Sequence, residues 1–93
     1  MKTPELEALL KGLDNGFSIE KHPKLSGLCS VKWNGKDCEF YVPDGEILEE
    51  RNPSYTFTFP NGMSVPHPSR GETLAKAAAF LQMVKDDPEI ALG

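Results

Sequence analysis

The spacing of hydrophobic positions is helical at both ends of the chain and alternating between them. Leu6, Leu9, Leu10 and Leu13 recur at helical spacing behind Thr3-Pro4-Glu5. Thr can cap a helix, Pro suits its first position and Glu complements its dipole, so a helix is predicted over about residues 4–13. Asp14-Asn15-Gly16 supplies the stop, with Gly16 free to take a left-handed conformation. Phe17 and Ile19 then alternate with Ser18 and Glu20, which predicts a strand over 17–21. His22-Pro23-Lys24 breaks it and Ser26-Gly27 turns the chain. Residues 28–33 and 36–42 alternate around Asn34-Gly35, the strongest two-residue signal for a β-hairpin. That turn pairs Trp33 with Lys36, Val31 with Cys38, and Cys29 with Phe40. Cys29, Val31, Trp33, Cys38, Phe40 and Val42 fall on one face. Ser30, Lys32, Asp37 and Glu39 fall on the other, with Leu28 and Tyr41 as apolar exceptions.

Pro43-Asp44-Gly45 is a turn, and an acidic connection from Glu46 to Pro53 carries Ile47 and Leu48. Tyr55, Phe57 and Phe59 alternate with Thr56 and Thr58, giving strands over 54–59 and 63–65. A three-residue loop, Pro60-Asn61-Gly62, pairs Phe59 with Met63 and Phe57 with Val65. A two-residue loop would mix the faces, so the pattern selects the longer one. Pro66-His67-Pro68 is stiff and extended. Ser69-Arg70-Gly71-Glu72 matches a capping box, with Ser69 as cap and Glu72 reaching back. A second helix follows over 70–85, with Leu74, Ala77, Ala78, Leu81 and Val84 as its buried stripe and Phe80 and Met83 widening it. Asp86-Asp87-Pro88 ends that helix and leaves a short tail. The predicted fold is a two-layer α+β domain in the order α-β-β-β-β-β-α, one antiparallel sheet with both helices on one face.

Composition narrows the classes. Ninety-three residues suit a single domain, and 39% hydrophobic with 26% charged residues is ordinary for a folded globule. No apolar run approaches a membrane span, and the first residues read as a helix start rather than a basic, apolar leader, so a cytoplasmic protein is expected. The predicted register sets Cys29 and Cys38 diagonally, at roughly 7–8 Å. A disulfide needs β-carbons about 3.5–4.5 Å apart, so two buried free thiols are expected, in keeping with a reducing compartment. The formal charge is −4, with ten basic and fourteen acidic residues, and no Lys/Arg run announces a phosphate-binding face.

His22, His67, Cys29 and Cys38 match no zinc spacing, and no metal or other cofactor is expected. A Cys–His nucleophile pair would need a thiol outside the core, where desolvation raises its pKa and makes it inert. No glycine-rich phosphate cradle precedes a helix. Arg70, near the start of the second helix, could meet an anion, although Ser69 and Glu72 are expected to satisfy the free amides there. Asp37, Glu39, Asp44, Glu46, Glu49 and Glu50 form an acidic set that reads as a solvated loop or as a surface for a basic protein partner. Trp33, beside the hairpin turn, and Tyr41 are the candidate aromatic anchors, whereas Tyr55 is assigned to the edge of the core.

Two resemblances bear on function. The α-β-β-β-α portion, with its alanine-rich last helix, resembles the double-stranded-RNA-binding domain. That family carries a Lys-rich cluster at the start of the last helix, where this chain reads Ser69-Arg70-Gly71-Glu72 with only Arg70 and Lys76 basic. His67-Pro68-Ser69, Glu72, Ala75, Ala77 and Phe80-Leu81, following a hairpin, resemble the C-terminal segment of small phage-encoded inhibitors of the anti-CRISPR type. This second resemblance implies an acidic protein that occupies a nucleic-acid-binding surface on a host complex. The expectation is therefore a non-catalytic inhibitor that binds a basic protein surface through Trp33, Asp37, Glu39, Tyr41, Asp44, Glu46, Glu49 and Glu50. It would bind neither nucleic acid directly nor a membrane, and would be a monomer or homodimer. One alternative is a nucleic-acid module using Lys11, Lys21, Lys24, Lys32, Lys36 and Arg70. The other is a small enzyme pairing Cys29 or Cys38 with His22 or His67.

Overall fold

A computed structural model describes residues 1–89. The elements are α1 (Thr3–Leu13), β1 (Phe17–Lys21), β2 (Leu28–Trp33), β3 (Lys36–Pro43), β4 (Asn52–Thr58), β5 (Ser64–His67) and α2 (Arg70–Asp86). The order is the predicted one and the fold is α+β, but the five strands form two sheets rather than one. β1, β2 and β3 make an antiparallel three-stranded sheet, while β4 and β5 pair only with each other. The tail beyond α2 lies, from residue 90, outside the described residues.

The β2–β3 turn forms because Asn34 and Gly35 both take positive φ, 50° and 81°, as a type I′ turn requires. Trp33 pairs with Lys36 and Lys32 with Asp37 as predicted, and then the register slips. Ser30 faces Tyr41 and Cys29 faces Val42, so β3 carries two extra residues across a bulge. The pairings of Val31 with Cys38 and Cys29 with Phe40 are therefore corrected. A two-residue slip leaves side-chain parity intact, because alternation has a period of two. All six residues predicted for the inner face are buried.

That inner face is the floor of the core. α1 lies over β1, α2 over β3, and the two helices touch. Leu6 and Leu10 from α1 and Ala77 and Phe80 from α2 join Phe17, Val31, Trp33, Phe40, Val42 and Ile47 in one buried cluster. The buried helical stripes are narrower than the sequence reading. Leu9 and Leu13 are exposed on α1, as are Ala78 and Met83 on α2, where Thr73 is buried instead. The Thr73 hydroxyl donates to Ser69 O (3.0 Å), which allows it a place in the core.

Both helix starts differ in part from expectation. Lys2, not Thr3, occupies the cap position of α1, and its N–H donates to Glu5 Oε2 (3.1 Å). Thr3 is the first helical residue, and its hydroxyl ties α1 to the turn after β3 by meeting Pro43 O (3.1 Å) and Gly45 N–H (2.7 Å). At α2, Ser69 caps by accepting from Glu72 N–H (3.2 Å), while the Glu72 carboxylate turns toward Arg51 (3.9 Å). Gly16 does not take a left-handed conformation; a β-carbon there would come within 2.5 Å of Asn34 Oδ1, so that side chain would have to shift.

The sheet divides because β3 offers β4 no regular edge. Glu39 sits in the bulge at φ 63°, and its N–H is taken by Asp37 Oδ1 (2.7 Å). The chain leaves β3 as a strap across the starts of both helices instead. Ile47 exchanges backbone hydrogen bonds with Met1, and Leu48 O accepts from Arg70 N–H (2.8 Å). The β4–β5 hairpin beyond this strap has the predicted register, with Phe57 opposite Val65 and Phe59 N–H donating to Met63 O (2.7 Å). None of its residues belongs to the core cluster.

Candidate functional site

The predicted acidic set does not form one free patch. Asp37 pairs with Lys32 (3.6 Å), Asp44 with Lys21 (3.8 Å) and Glu49 with Arg70 (3.1 Å). Glu46 meets the N-terminal amine (3.2 Å) and Lys2 (3.3 Å). Hydrogen bonding to that amine, then to Lys2, lowers the Glu46 pKa below the usual carboxylate value. Four of the six carboxylates are thus partly neutralised by neighbours in the same chain. Glu39 and Glu50 are exposed, with no cation in ion-pairing distance among the described residues. The same pairs engage Lys21, Lys32 and Arg70, half of the basic set considered for nucleic acid.

Trp33 is not a surface anchor. Only 9% of it is exposed, its ring meets Phe80 edge-on (5.7 Å), and its indole N–H donates to Asp14 Oδ1 (3.2 Å). The same oxygen accepts from Gly16 N–H (2.8 Å), so Asp14 locks the β2 end to the α1–β1 turn. Tyr41 is half-buried on the reverse face of the sheet, between His22 and Phe59 at 5.8 Å from each. Tyr55, assigned to the core edge, is 56% exposed.

The histidines and cysteines stay apart in role. His22 Nδ1 accepts from the backbone N–H groups of Lys24 and Leu25 (3.1 Å each), shaping the β1–β2 turn. His67 stacks on Phe57, with ring centroids 4.1 Å apart. Cys29 and Cys38 are free and buried. Burial raises the pKa of both thiols, Cys38 to about 11, with Asp44 acting further on Cys29 and Asp37 on Cys38. Such thiols stay protonated near neutrality and are poor nucleophiles. Among the described residues no cluster of His, Cys, Asp or Glu has the spacing to hold a metal ion, and no helix is long and apolar enough to cross a membrane.

A cleft of about 470 Å³ opens where β3, the β4–β5 hairpin and α2 meet. Tyr41, Phe57, Phe59 and Met63 supply apolar walls, with Glu39 and Glu72 as carboxylates and Arg51 and Lys76 as cations among them, Arg51 standing 3.9 Å from Glu72. The bulge that interrupts regular pairing on β3 brings Glu39 to this cleft. Sequence reasoning selected Glu39 and Tyr41 individually but missed the cleft. Its other walls come from the hairpin, whose position relative to β3 no local pattern encodes.

No family model, no curated protein and no solved structure matches this chain.

Proposed function

We propose that this is a non-catalytic interaction protein that receives a basic side chain of a protein partner in the cleft between β3 and the β4–β5 hairpin. The observation that carries the reading is the combination of aromatic walls with Glu39, which has no ion pair among the described residues although Arg51 and Lys76 also line the cleft, Arg51 being engaged by Glu72. An Arg or Lys side chain has the matching chemistry: an apolar stem that lies against aromatic rings and a charged end that meets a carboxylate. Glu50, also exposed and without an ion pair among the described residues, adds to the negative potential that would steer such a partner. The high thiol pKa values favour a binding role over a Cys–His enzyme.

The narrower proposal is an inhibitor of the anti-CRISPR type acting in the cytoplasm, its partner a nucleic-acid-handling complex. The support for it is the resemblance of the His67–Leu81 segment together with the acidic balance of the chain. The test is a nuclease-treated pull-down across a salt series, comparing the wild type with Glu39→Lys. Loss of a stoichiometric partner both with rising salt and with Glu39→Lys is expected. Capture that Glu39→Lys leaves intact would remove the cleft from the reading. Capture abolished by nuclease would replace the protein partner with nucleic acid.

A further inference from the structure

Among the described residues, four strand edges have no strand beside them, and three are guarded. On β1, the Ile19 N–H is capped by Glu7 Oε2 (2.7 Å), with Glu20 and Lys21 following on the strand. On β3, the bulge at Glu39 and its hydrogen bond to Asp37 interrupt the row of free amides. On β5, Pro66 has no N–H to offer and Pro68 follows. These are the devices by which proteins prevent edge-to-edge pairing.

The outer edge of β4 has none of them over its regular part. Its irregular pairing is confined to Pro53–Tyr55, where Asn52 Oδ1 takes the Ser54 N–H (2.9 Å), and Thr56–Thr58 pair regularly with β5. From Asn52 to Ser69 the chain contains no Asp, Glu, Lys or Arg, although such residues make up 26% of the whole. Phe59 N–H points to β5, where it meets Met63 O, and Phe57 shares that direction by alternation. The N–H and C=O groups of Thr56 and Thr58 therefore point outward. Thr56, Phe57 and Thr58 also border a gap of about 300 Å³ beside Leu25–Leu28. His67 of β5 lines that gap too, and Thr56 and Thr58 remain exposed beside it.

We infer that β4 is a self-pairing edge, through which two copies of this chain form a dimer with a continuous β5-β4-β4-β5 sheet. The strand is complementary to itself. In antiparallel pairing centred on Phe57, Thr56 faces Thr58 of the other copy twice, and these are the residues whose backbone groups point outward. Phe57 then faces its own copy in the non-hydrogen-bonded position, where side chains approach most closely. Tyr55 falls opposite Phe59. No like charges meet, because the strand carries none. A two-stranded hairpin is marginal in water by itself, and four strands with an aromatic face relieve that. The dimer uses the edge of β4 and does not depend on the basic partner proposed for the cleft.

Sedimentation equilibrium of the full chain from micromolar to millimolar concentration tests this directly. We expect a concentration-dependent shift from the chain mass to twice that mass. Thr56→Pro removes one outward N–H from each copy and should weaken dimerisation roughly tenfold or more. Thr56→Lys keeps the N–H but sets a charge at the edge, and should weaken it as well. Circular dichroism checks that both variants keep their helices; should the proline variant unfold, the lysine variant decides. A wild type that stays monomeric throughout, or a dimer that a folded Thr56 variant leaves intact, overturns the inference.

Discussion

The β1–β3 sheet and the β4–β5 hairpin are built from the same alternation of apolar and polar residues, yet one is closed over and the other is covered only in part. In the sheet, Val31, Phe40 and Val42 are closed over by Leu6 and Leu10 of α1 and Ala77 and Phe80 of α2. In the hairpin, Tyr55 and Met63 remain 56% and 55% exposed, Phe57 stacks on His67 of the same hairpin, and Phe59, alone among the described hairpin residues, meets an aromatic ring of the larger sheet, that of Tyr41. A chain of this length has two helices to lay over its strands, and both go to the larger sheet. Alternation therefore defines which side chains share a face; it does not provide the second layer that removes the face from water. A partly uncovered face with an open edge is a surface available for recognition, which is why both proposals for this protein use the hairpin.

Truncating a large side chain in each region should separate the two most sharply. Phe17→Ala removes a fully buried ring from the core cluster and should cost about 3–5 kcal/mol in urea unfolding. Tyr55→Ala should cost well under about 1 kcal/mol, since the ring is mostly in solvent already. Equal losses would mean that the hairpin contributes to the same cooperative core. Asp14→Ala should fall between them, at about 1–3 kcal/mol, because it leaves the Trp33 indole N–H and the Gly16 amide without their acceptor.

Smaller effects sharpen the same contrast. The folded protein holds the Cys38 thiol protonated to about pH 11, whereas the unfolded chain ionises it near 9.0. Between those values the unfolded state has bound fewer protons, so stability is full below pH 9 and declines as pH rises toward 11. Cys38→Ala should flatten part of that decline, measured as the pH dependence of the unfolding midpoint. An unchanged slope would show that the thiol ionises as readily folded as unfolded. Hydrogen exchange should show the least perturbing difference: amides of β4 exchange faster than those of β2, which is paired on both sides.

Much of this molecule follows from local pattern. Asn34-Gly35 dictates a tight turn because both residues must take positive φ, and the three-residue loop at Pro60–Gly62 follows from keeping Phe57 and Val65 on one face. The six inner-face residues of β2 and β3 were readable for a similar reason. Even the unforeseen bulge moved the register by two residues, and parity protects a face against an even slip. The candidate site was less legible. The acidic residues between Asp37 and Glu50 read as a single patch, but Asp37, Asp44, Glu46 and Glu49 each found a cation that folding brought beside them. Trp33 read as a rim residue because it borders a turn; it is buried because Phe80, some fifty positions away, packs against it and Asp14 satisfies its N–H.

The sequence by itself determined the elements, their order, the hairpin turns and which side chains share a face, because these depend on backbone preferences and on periods a few residues long. Only the tertiary structure decided that the strands split into two sheets, that α2 buries Thr73 rather than Ala78, and that Glu39 joins Tyr41, Phe57 and Phe59 at one cleft. Those outcomes depend on which distant surface covers which face, and on which ion pairs close across it. Such contacts are set by the packing of the whole chain, and no window of neighbouring residues contains them.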